Sequence, residues 1–115
     1  MIIIEDNDIN FKLNEIVMGY TKINITRCLN GNDFIKIFND INPDIVILNL
    51  HLIDYHACDI IKYIRNINNI PIIIMSSFTD KNDEELVLKC GANFFIHKPI
   101  SWNNLKEKIN ELLIK

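Results

Sequence analysis

The stretch DIVILNL, residues 44–50, decides the fold class, because it is typical of a strand that is buried on both faces. Four aliphatic residues, Ile45 to Leu48, follow one another without a polar residue, whereas a strand with one solvated face would alternate. Such strands are typical of parallel sheets that are covered by helices on both sides. The run ends on Asn49, a neutral amide at the point where the strand leaves the core.

Short apolar runs alternate with helical patterns along the whole chain. Strands are predicted over residues 1–4, 23–28, 44–49, 72–76 and 93–97. Helices are predicted over residues 8–19, 34–41, 55–67, 80–90 and 101–113. Asn30-Gly31 is predicted to form a turn, Gly91 to end a helix, and residues 23–28, which alternate in polarity, to form an edge strand. Because parallel neighbours need crossover connections, this order predicts an α/β fold with a parallel sheet.

Composition limits the range of functions. The chain has 115 residues, 49% of them hydrophobic, and a formal net charge of −3. We expect residues 1–115 to form a single domain, because this length supports one hydrophobic core. The negative charge argues against direct contact with nucleic acid. No apolar run approaches the roughly 20 residues that span a bilayer, and the acidic start MIIIED is no signal peptide, so we expect a cytoplasmic protein without membrane contact.

Three cysteines, Cys28, Cys58 and Cys90, lie far apart in the sequence and form no CxxC pair. Each lies within or beside an apolar segment, where cysteine usually acts as a small hydrophobic residue. We therefore predict a structural role for all three, which fits a reducing cytosol.

Polar side chains converge at one edge of the predicted sheet, where the carboxyl ends of parallel strands meet. They are Glu5 and Asp6 after the first strand, Asn49 on the third, Ser76 and Ser77 on the fourth, and Lys98-Pro99 after the fifth. Two carboxylates with a hydroxyl and an ammonium favour a hard cation beside an anion such as phosphate. Taken singly, each residue has an ordinary explanation as a helix-start acid, a turn residue or a surface charge. Their conjunction at four strand ends favours a functional site.

Over its full length, the chain resembles the receiver domain of two-component response regulators. The matching stretches are IIIEDN (2–7), DIVILNLHLIDYHACD (44–59), PIIIMSSF (71–78) and GANFFIHKPI (91–100). The resemblance implies a flavodoxin-like (βα)5 three-layer sandwich with a parallel five-stranded sheet of order 2-1-3-4-5. It also implies an acidic pair that binds Mg²⁺ and an aspartate that accepts a phosphoryl group from a histidine kinase.

The resemblance assigns a role to each polar residue. Glu5 and Asp6 match the acidic pair, and His51 would lend a backbone carbonyl to the metal. Ser76 matches the switch hydroxyl, and Ser77 matches the small residue after it. Phe95 matches the switch aromatic, and Lys98-Pro99 matches the phosphate-contacting lysine with its proline. Asn49 matches the phosphate acceptor.

Asn49 removes the chemistry of the acceptor. A carboxylate oxygen attacks phosphorus, whereas the amide nitrogen is delocalised and the amide oxygen carries no full charge. Mg²⁺ binding is expected to be weakened, because one anionic ligand has become neutral. We therefore expect a pseudo-receiver: a signalling module and not an enzyme, unphosphorylated at the usual position and acting through protein contacts.

Three explanations of Asn49 remain open: natural divergence, an engineered Asp-to-Asn substitution in a conventional receiver, and deamidation, which the following leucine makes slow. The neighbouring loop favours divergence, because Ile53 and Ala57 stand where the family usually has proline and glycine. Asp6 and Asp54 are poor alternative acceptors, since in-line attack depends on geometry that neither position should reproduce. Asp54 is predicted to be solvated.

Protein partners are expected at residues 80–115, since receivers commonly dimerise or dock effectors through the last two helices and the fifth strand. Asn93 and Phe94 replace two acids that pair in regulators of the winged-helix class, which puts that homodimer in doubt. A histidine kinase and an output domain for transcription regulation follow from family analogy alone. A flavodoxin-like flavin or nucleotide binder is a further alternative, but the chain has no GxGxxG or Walker loop and only three glycines.

Overall fold

Five strands are present in the computed structural model, which describes residues 1–5, 26–50, 54–76, 81–97 and 102–113. The strands are β1 Ile2–Ile4, β2 Thr26–Cys28, β3 Val46–Asn49, β4 Ile72–Ser76 and β5 Phe94–His97. The helices of the described residues are α1 Gly31–Ile41, α2 Ala57–Arg65, α3 Lys81–Cys90 and α4 Trp102–Leu113. The helix predicted over residues 8–19 lies outside the described residues, as do positions 23–25 of the second predicted strand.

The sheet is parallel throughout and has the order β2-β1-β3-β4-β5. This is the predicted order, and the flavodoxin-like α/β fold is confirmed. β2 lies at an edge, as its alternating sequence predicts, and β3 lies in the centre. The central position explains the aliphatic run of residues 45–48, because successive side chains of a strand point to opposite faces and both faces are covered here.

Helices cover the two faces of the sheet. Val46 and Leu48 belong to a core that includes side chains of α1, α2 and α3. Ile45 and Ile47 point the other way and belong to a second core, which α4 completes with Leu105, Ile109 and Leu112. The three layers are therefore helix, sheet and helix. None of the helices described is long and apolar enough to cross a membrane.

Asn30 and Gly31 begin a helix and do not form the predicted turn. Asn30 is the N-cap of α1, and its side-chain oxygen accepts the Asp33 N–H at 2.8 Å. Gly31 is the first helical residue and lies against Tyr55, where a Cβ would come within 2.6 Å of the ring atom Cδ2. Asn and Gly favour turns and helix starts alike, so the dipeptide alone could not separate the two structures.

Local hydrogen bonds set two other helix ends. His56 caps α2 by accepting the Cys58 N–H on Nδ1 at 3.1 Å, so the helix starts two residues later than predicted. Gly91 ends α3 as predicted, with a φ of 122°, and the Ala92 N–H donates to the Val87 carbonyl at 3.1 Å.

Arg65, at the end of α2, forms hydrogen bonds to the segments that lead into β4 and β5. Its guanidinium donates to the Gly91 carbonyl from Nε at 3.0 Å and from Nη2 at 2.8 Å, and to the Ile70 carbonyl at 2.7 Å. Asn93 accepts from Arg65 at 2.9 Å and from the Ile72 N–H at 2.8 Å through the same Oδ1 atom. Asn93 therefore has a structural role inside the domain.

Candidate functional site

The carboxyl ends of β1, β3 and β4 lie side by side, because β3 pairs with both of the other strands. Glu5 directly follows β1, Asn49 ends β3 and Ser76 ends β4. Glu5 and Ser76 are both 0% exposed, and Asn49 is half-buried. Completely buried polar side chains are uncommon, and a buried carboxylate more so. Their burial at neighbouring strand ends marks this edge of the sheet as the candidate site.

Asn49 and Glu5 are joined by a hydrogen bond across the ends of the two strands. The Asn49 Nδ2 atom donates to Glu5 Oε2 at 2.9 Å. The register that pairs Ile4 with Leu48 brings the next two residues together. The amide must present its N–H₂ group, since its oxygen would repel the carboxylate. A buried carboxylate needs such donors to offset the loss of hydration.

The backbone on both sides of this pair is held by hydrogen bonds. The Glu5 N–H donates to the Cys28 carbonyl at 3.0 Å, and the Glu5 carbonyl accepts from Arg27 Nε at 3.1 Å. After Asn49, the Leu50 N–H donates to the Met75 carbonyl at 2.9 Å. The Asn49–Glu5 contact is therefore made by residues whose main chains are anchored in the sheet.

Phe95, the predicted switch aromatic, lies on the neighbouring strand β5. It is half-buried, and its ring meets the ring of His97 edge-on, with centroids 5.0 Å apart. Ser76 pairs in register with His97 across β4 and β5. The aromatic and the hydroxyl thus lie on adjacent strands, and their roles as switch residues stay predictions.

Five predicted site residues lie outside the described residues: Asp6, His51, Ser77, Lys98 and Pro99. Their roles stay predictions. Of the predicted metal ligands, only the Glu5 side chain belongs to the described part of the chain. Within that part, no three His, Cys, Asp or Glu side chains come together as a metal site.

Asp54 is exposed, as the sequence predicted, but it also caps a helix. Its two carboxylate oxygens accept the Gly31 N–H at 3.0 Å and the Asn32 N–H at 2.9 Å, although the side chain is exposed. The carboxylate thus satisfies the first amides of α1, where negative charge is favoured. Sequence reasoning missed this cap because the partners are 22 and 23 residues apart, and local patterns carry no signal over that distance.

A depression of about 340 Å³ lies between β5 and α4, within the residues expected to contact partners. It is lined by Phe94, Phe95, Ile96, His97, Asn104, Glu107 and Lys108. The Lys108 ammonium lies 4.2 Å from the centroid of the Phe94 ring, a cation–π contact. The sequence did not predict this feature, because its walls come from two separate elements.

Comparison with known proteins agrees with the geometry. The family model described as the response regulator receiver domain matches residues 1–110. The chain belongs to this family. Receiver domains are signalling modules.

One curated relative is similar to this chain over nearly its whole length, and two solved structures share its fold. The polar-differentiation response regulator DivK of Brucella anthropi is 27% identical, covering 98% of this chain and 94% of its own. The crystal structure of a two-component response regulator from Clostridium difficile matches with a TM-score of 0.93 at 22% identity, over 99% and 94% of the two chains. The receiver domain of the sensor histidine kinase PA1611 from Pseudomonas aeruginosa matches with a TM-score of 0.89 at 19% identity, over 99% and 96%, and that protein holds a magnesium ion in its active site cleft.

Proposed function

We propose that this receiver is a pseudo-receiver: it signals through protein contacts and is not phosphorylated at the usual acceptor position. The observation that carries the proposal is the hydrogen bond from Asn49 Nδ2 to Glu5 Oε2 at 2.9 Å. An amide at the acceptor position has no nucleophilic oxygen to form an acyl phosphate. It also gives the Glu5 carboxylate a neutral hydrogen-bond donor from within the protein.

The second consequence concerns Mg²⁺. In this receiver the ion would be held by Glu5, Asp6 and the backbone carbonyl of His51, and when bound it would neutralise charge on phosphoryl oxygens. The donor set fits the ion poorly, because Asn49 turns its N–H₂ group and not an oxygen towards Glu5, and one Glu5 oxygen is already used. We propose that Mg²⁺ binding is weakened for this reason.

The alternative is a conventional receiver in which Asn49 is an engineered replacement for aspartate. The favouring observation is that Glu5 and Ser76 keep completely buried positions at adjacent strand ends. The two proposals agree on the behaviour of the chain as it stands. They differ in what an aspartate at position 49 would restore.

The proposed contact surface is formed by α3, β5 and α4, within residues 80–115. Leu86 and Leu88 are 43% and 40% exposed on α3, and exposed apolar side chains of this kind occur in interface cores. Asn93 is not available for the charged pairing of winged-helix regulators, because its side-chain oxygen bonds Arg65 and Ile72. A homodimer through this surface would therefore rest on apolar contacts.

Amide NMR spectra of the wild type and of Asn49→Asp, each with and without Mg²⁺ and acetyl phosphate, test the proposal. We expect the wild-type spectrum to be unchanged by the phosphodonor. Shifts spread over β4, α3 and β5 in the wild type would contradict it. The same shifts in Asn49→Asp alone would favour the conventional receiver with a substituted acceptor, whereas no response in either protein would favour divergence of the whole site.

A further inference from the structure

We propose that Cys58 and Cys90 form a reversible disulfide, a modification site that joins the start of α2 to the end of α3. The two Sγ atoms are 2.6 Å apart, although the residues are separated by 32 positions in the sequence. A disulfide bond is 2.03–2.05 Å long, so an approach of about 0.5 Å would form one. Both thiols are free in this structure.

The positions of both cysteines are set by contacts that do not involve their sulfur atoms. Cys58 is the second residue of α2, and its N–H is bonded to the His56 cap at 3.1 Å. Cys90 is the last residue of α3, and the next residue, Gly91, is held by two hydrogen bonds from Arg65 at the other end of α2. The helix that carries one thiol thus fixes the main chain beside the other, which lowers the entropy cost of bringing them together.

The two thiols differ in access. Cys90 is partly exposed, whereas Cys58 is 6% exposed and its Sγ also lies 3.8 Å from the Leu86 carbonyl on α3. Burial raises the pKa of Cys58 to about 12, so it holds its proton at neutral pH. An oxidant from solvent would therefore reach Cys90 first.

Hydrogen peroxide is the oxidant that this order of events requires. Cys90 attacks the peroxide, one oxygen is transferred to its sulfur, and water leaves, which gives a sulfenic acid. The Cys58 sulfur then displaces the hydroxyl group from Cys90, its thiol proton leaves with that group as a second water, and the S–S bond forms. Two thiols are oxidised by one electron each, and the peroxide takes up both electrons.

The cross-link would close a loop that contains β4 and Ser76. It would restrain the unfolded chain more than the folded one, so the oxidised protein should unfold at a temperature about 5–10 °C higher. The proposal does not depend on the absence of phosphoryl transfer, since neither cysteine belongs to the candidate site. It would give this receiver a redox-sensitive link between two helices.

The test uses the full chain, reduced and then treated with hydrogen peroxide at neutral pH, followed by alkylation in denaturant and intact mass measurement. We expect the loss of two hydrogen atoms, a single alkylated thiol on Cys28, and a Cys58–Cys90 cross-linked peptide that dithiothreitol reverses. Cys28, which is 2% exposed, is the internal control, and Cys28→Ala should oxidise as the wild type does.

Cys58→Ala and Cys90→Ala should each lose both the cross-link and the rise in unfolding temperature on oxidation. The proposal is overturned if three alkylatable thiols survive excess peroxide. It is equally overturned if the cross-link joins two molecules or includes Cys28, or if Cys90 is oxidised to the sulfinic acid while Cys58 stays alkylatable.

Discussion

Asn49 and Glu5 share a hydrogen bond at the ends of two neighbouring strands, and the bond exists because Asn49 carries a nitrogen donor, Nδ2. A carboxylate at position 49 would put two negative charges within 3 Å or so of each other in a buried site, and such pairs need a cation or a proton. An amide offers N–H donors at the same place and with the same shape. Asparagine at position 49 therefore gives Glu5 a neutral hydrogen bond that needs no neutralising charge.

The first prediction concerns Asn49→Asp. Without divalent cations, we expect this variant to have a free energy of unfolding about 1–3 kcal/mol lower than that of the wild type, because it loses the bond to Glu5 and gains repulsion. Mg²⁺ should restore more stability to the variant than to the wild type. Urea unfolding in EDTA and in Mg²⁺ measures both effects. Asn104→Asp, at an exposed position in the first turn of α4, where negative charge is favoured, is the control and should not lower stability. Equal stability of Asn49→Asp and wild type in EDTA would contradict the prediction.

The second prediction concerns the Asp54 cap. Asp54→Ala should lower the free energy of unfolding by about 0.5–2 kcal/mol, because the Gly31 and Asn32 amides lose their acceptor. Thermal or urea unfolding measures this loss. Asp40→Ala removes an exposed carboxylate from the last turn of α1, where negative charge is unfavourable, so it should not destabilise. A loss in the Asp40 variant as large as in the Asp54 variant would show that the cap is not the cause.

The sequence predicted that Glu5, Asn49 and Ser76 lie at strand ends, but it did not predict which of their atoms form hydrogen bonds. A strand that ends on a polar residue indicates the site edge, since the carboxyl ends of parallel strands meet there. The direction of the Asn49 amide and the cap by Asp54 depend on contacts across 44 and 22–23 residues. Contacts over such distances exist only once the sheet has formed.

Arg65, in the last turn of α2, holds this helix to the segments that lead into β4 and β5. Its planar guanidinium reaches the Gly91 and Ile70 carbonyls and the Asn93 side chain at the same time. A fork of five donors matches this set of acceptors, which a single ammonium cannot do.

The third prediction follows from this geometry. Arg65→Ala should lower the free energy of unfolding by about 2–3 kcal/mol, and Arg65→Lys should recover only a minor part of that loss. Chemical denaturation provides the measurement. Lys62→Ala, an exposed position on the same helix, controls for the loss of positive charge near its end and should cost less than about 1 kcal/mol. Full stability of Arg65→Lys would contradict the claim that the planar fork matters.

Element boundaries followed from the sequence where hydrophobic periodicity was strong and not where a cap decided them. The strand predicted over 72–76 is confirmed over its full length, and the one predicted over 44–49 begins two residues later, at Val46, because aliphatic runs of this kind have few other uses. The Asn30-Gly31 prediction was wrong. Asn30 caps the helix by accepting the Asp33 N–H, and the Gly31 N–H donates to Asp54, which comes from a distant segment.

The sheet is enclosed on both faces by helices, and this burial extends to groups that titrate. Cys28 ends the edge strand and is 2% exposed. Burial raises the pKa of its thiol above the ordinary value of 9.0 to about 11, with a further rise from the negative charge of Asp33.

The fourth prediction is a loss of stability at alkaline pH. Between pH 9 and about 11 the unfolded chain loses the Cys28 proton while the folded protein retains it, so stability must fall as pH rises through this window. Below pH 9 the Cys28 thiol is protonated in both states, so it adds no pH dependence to the free energy of unfolding. Urea unfolding at several pH values under reducing conditions should show a shallower alkaline decline in Cys28→Ala than in the wild type, and identical slopes would contradict the prediction.

The proposed pseudo-receiver does not take up a phosphoryl group at Asn49. Intact mass after incubation with Mg²⁺ and acetyl phosphate, with Asn49→Asp treated in parallel, measures this uptake. We expect the wild-type mass to be unchanged. A stoichiometric phosphoryl adduct on the wild type would overturn the proposal, and mapping that adduct to Asp6 or Asp54 would make the chain a working receiver with a displaced acceptor.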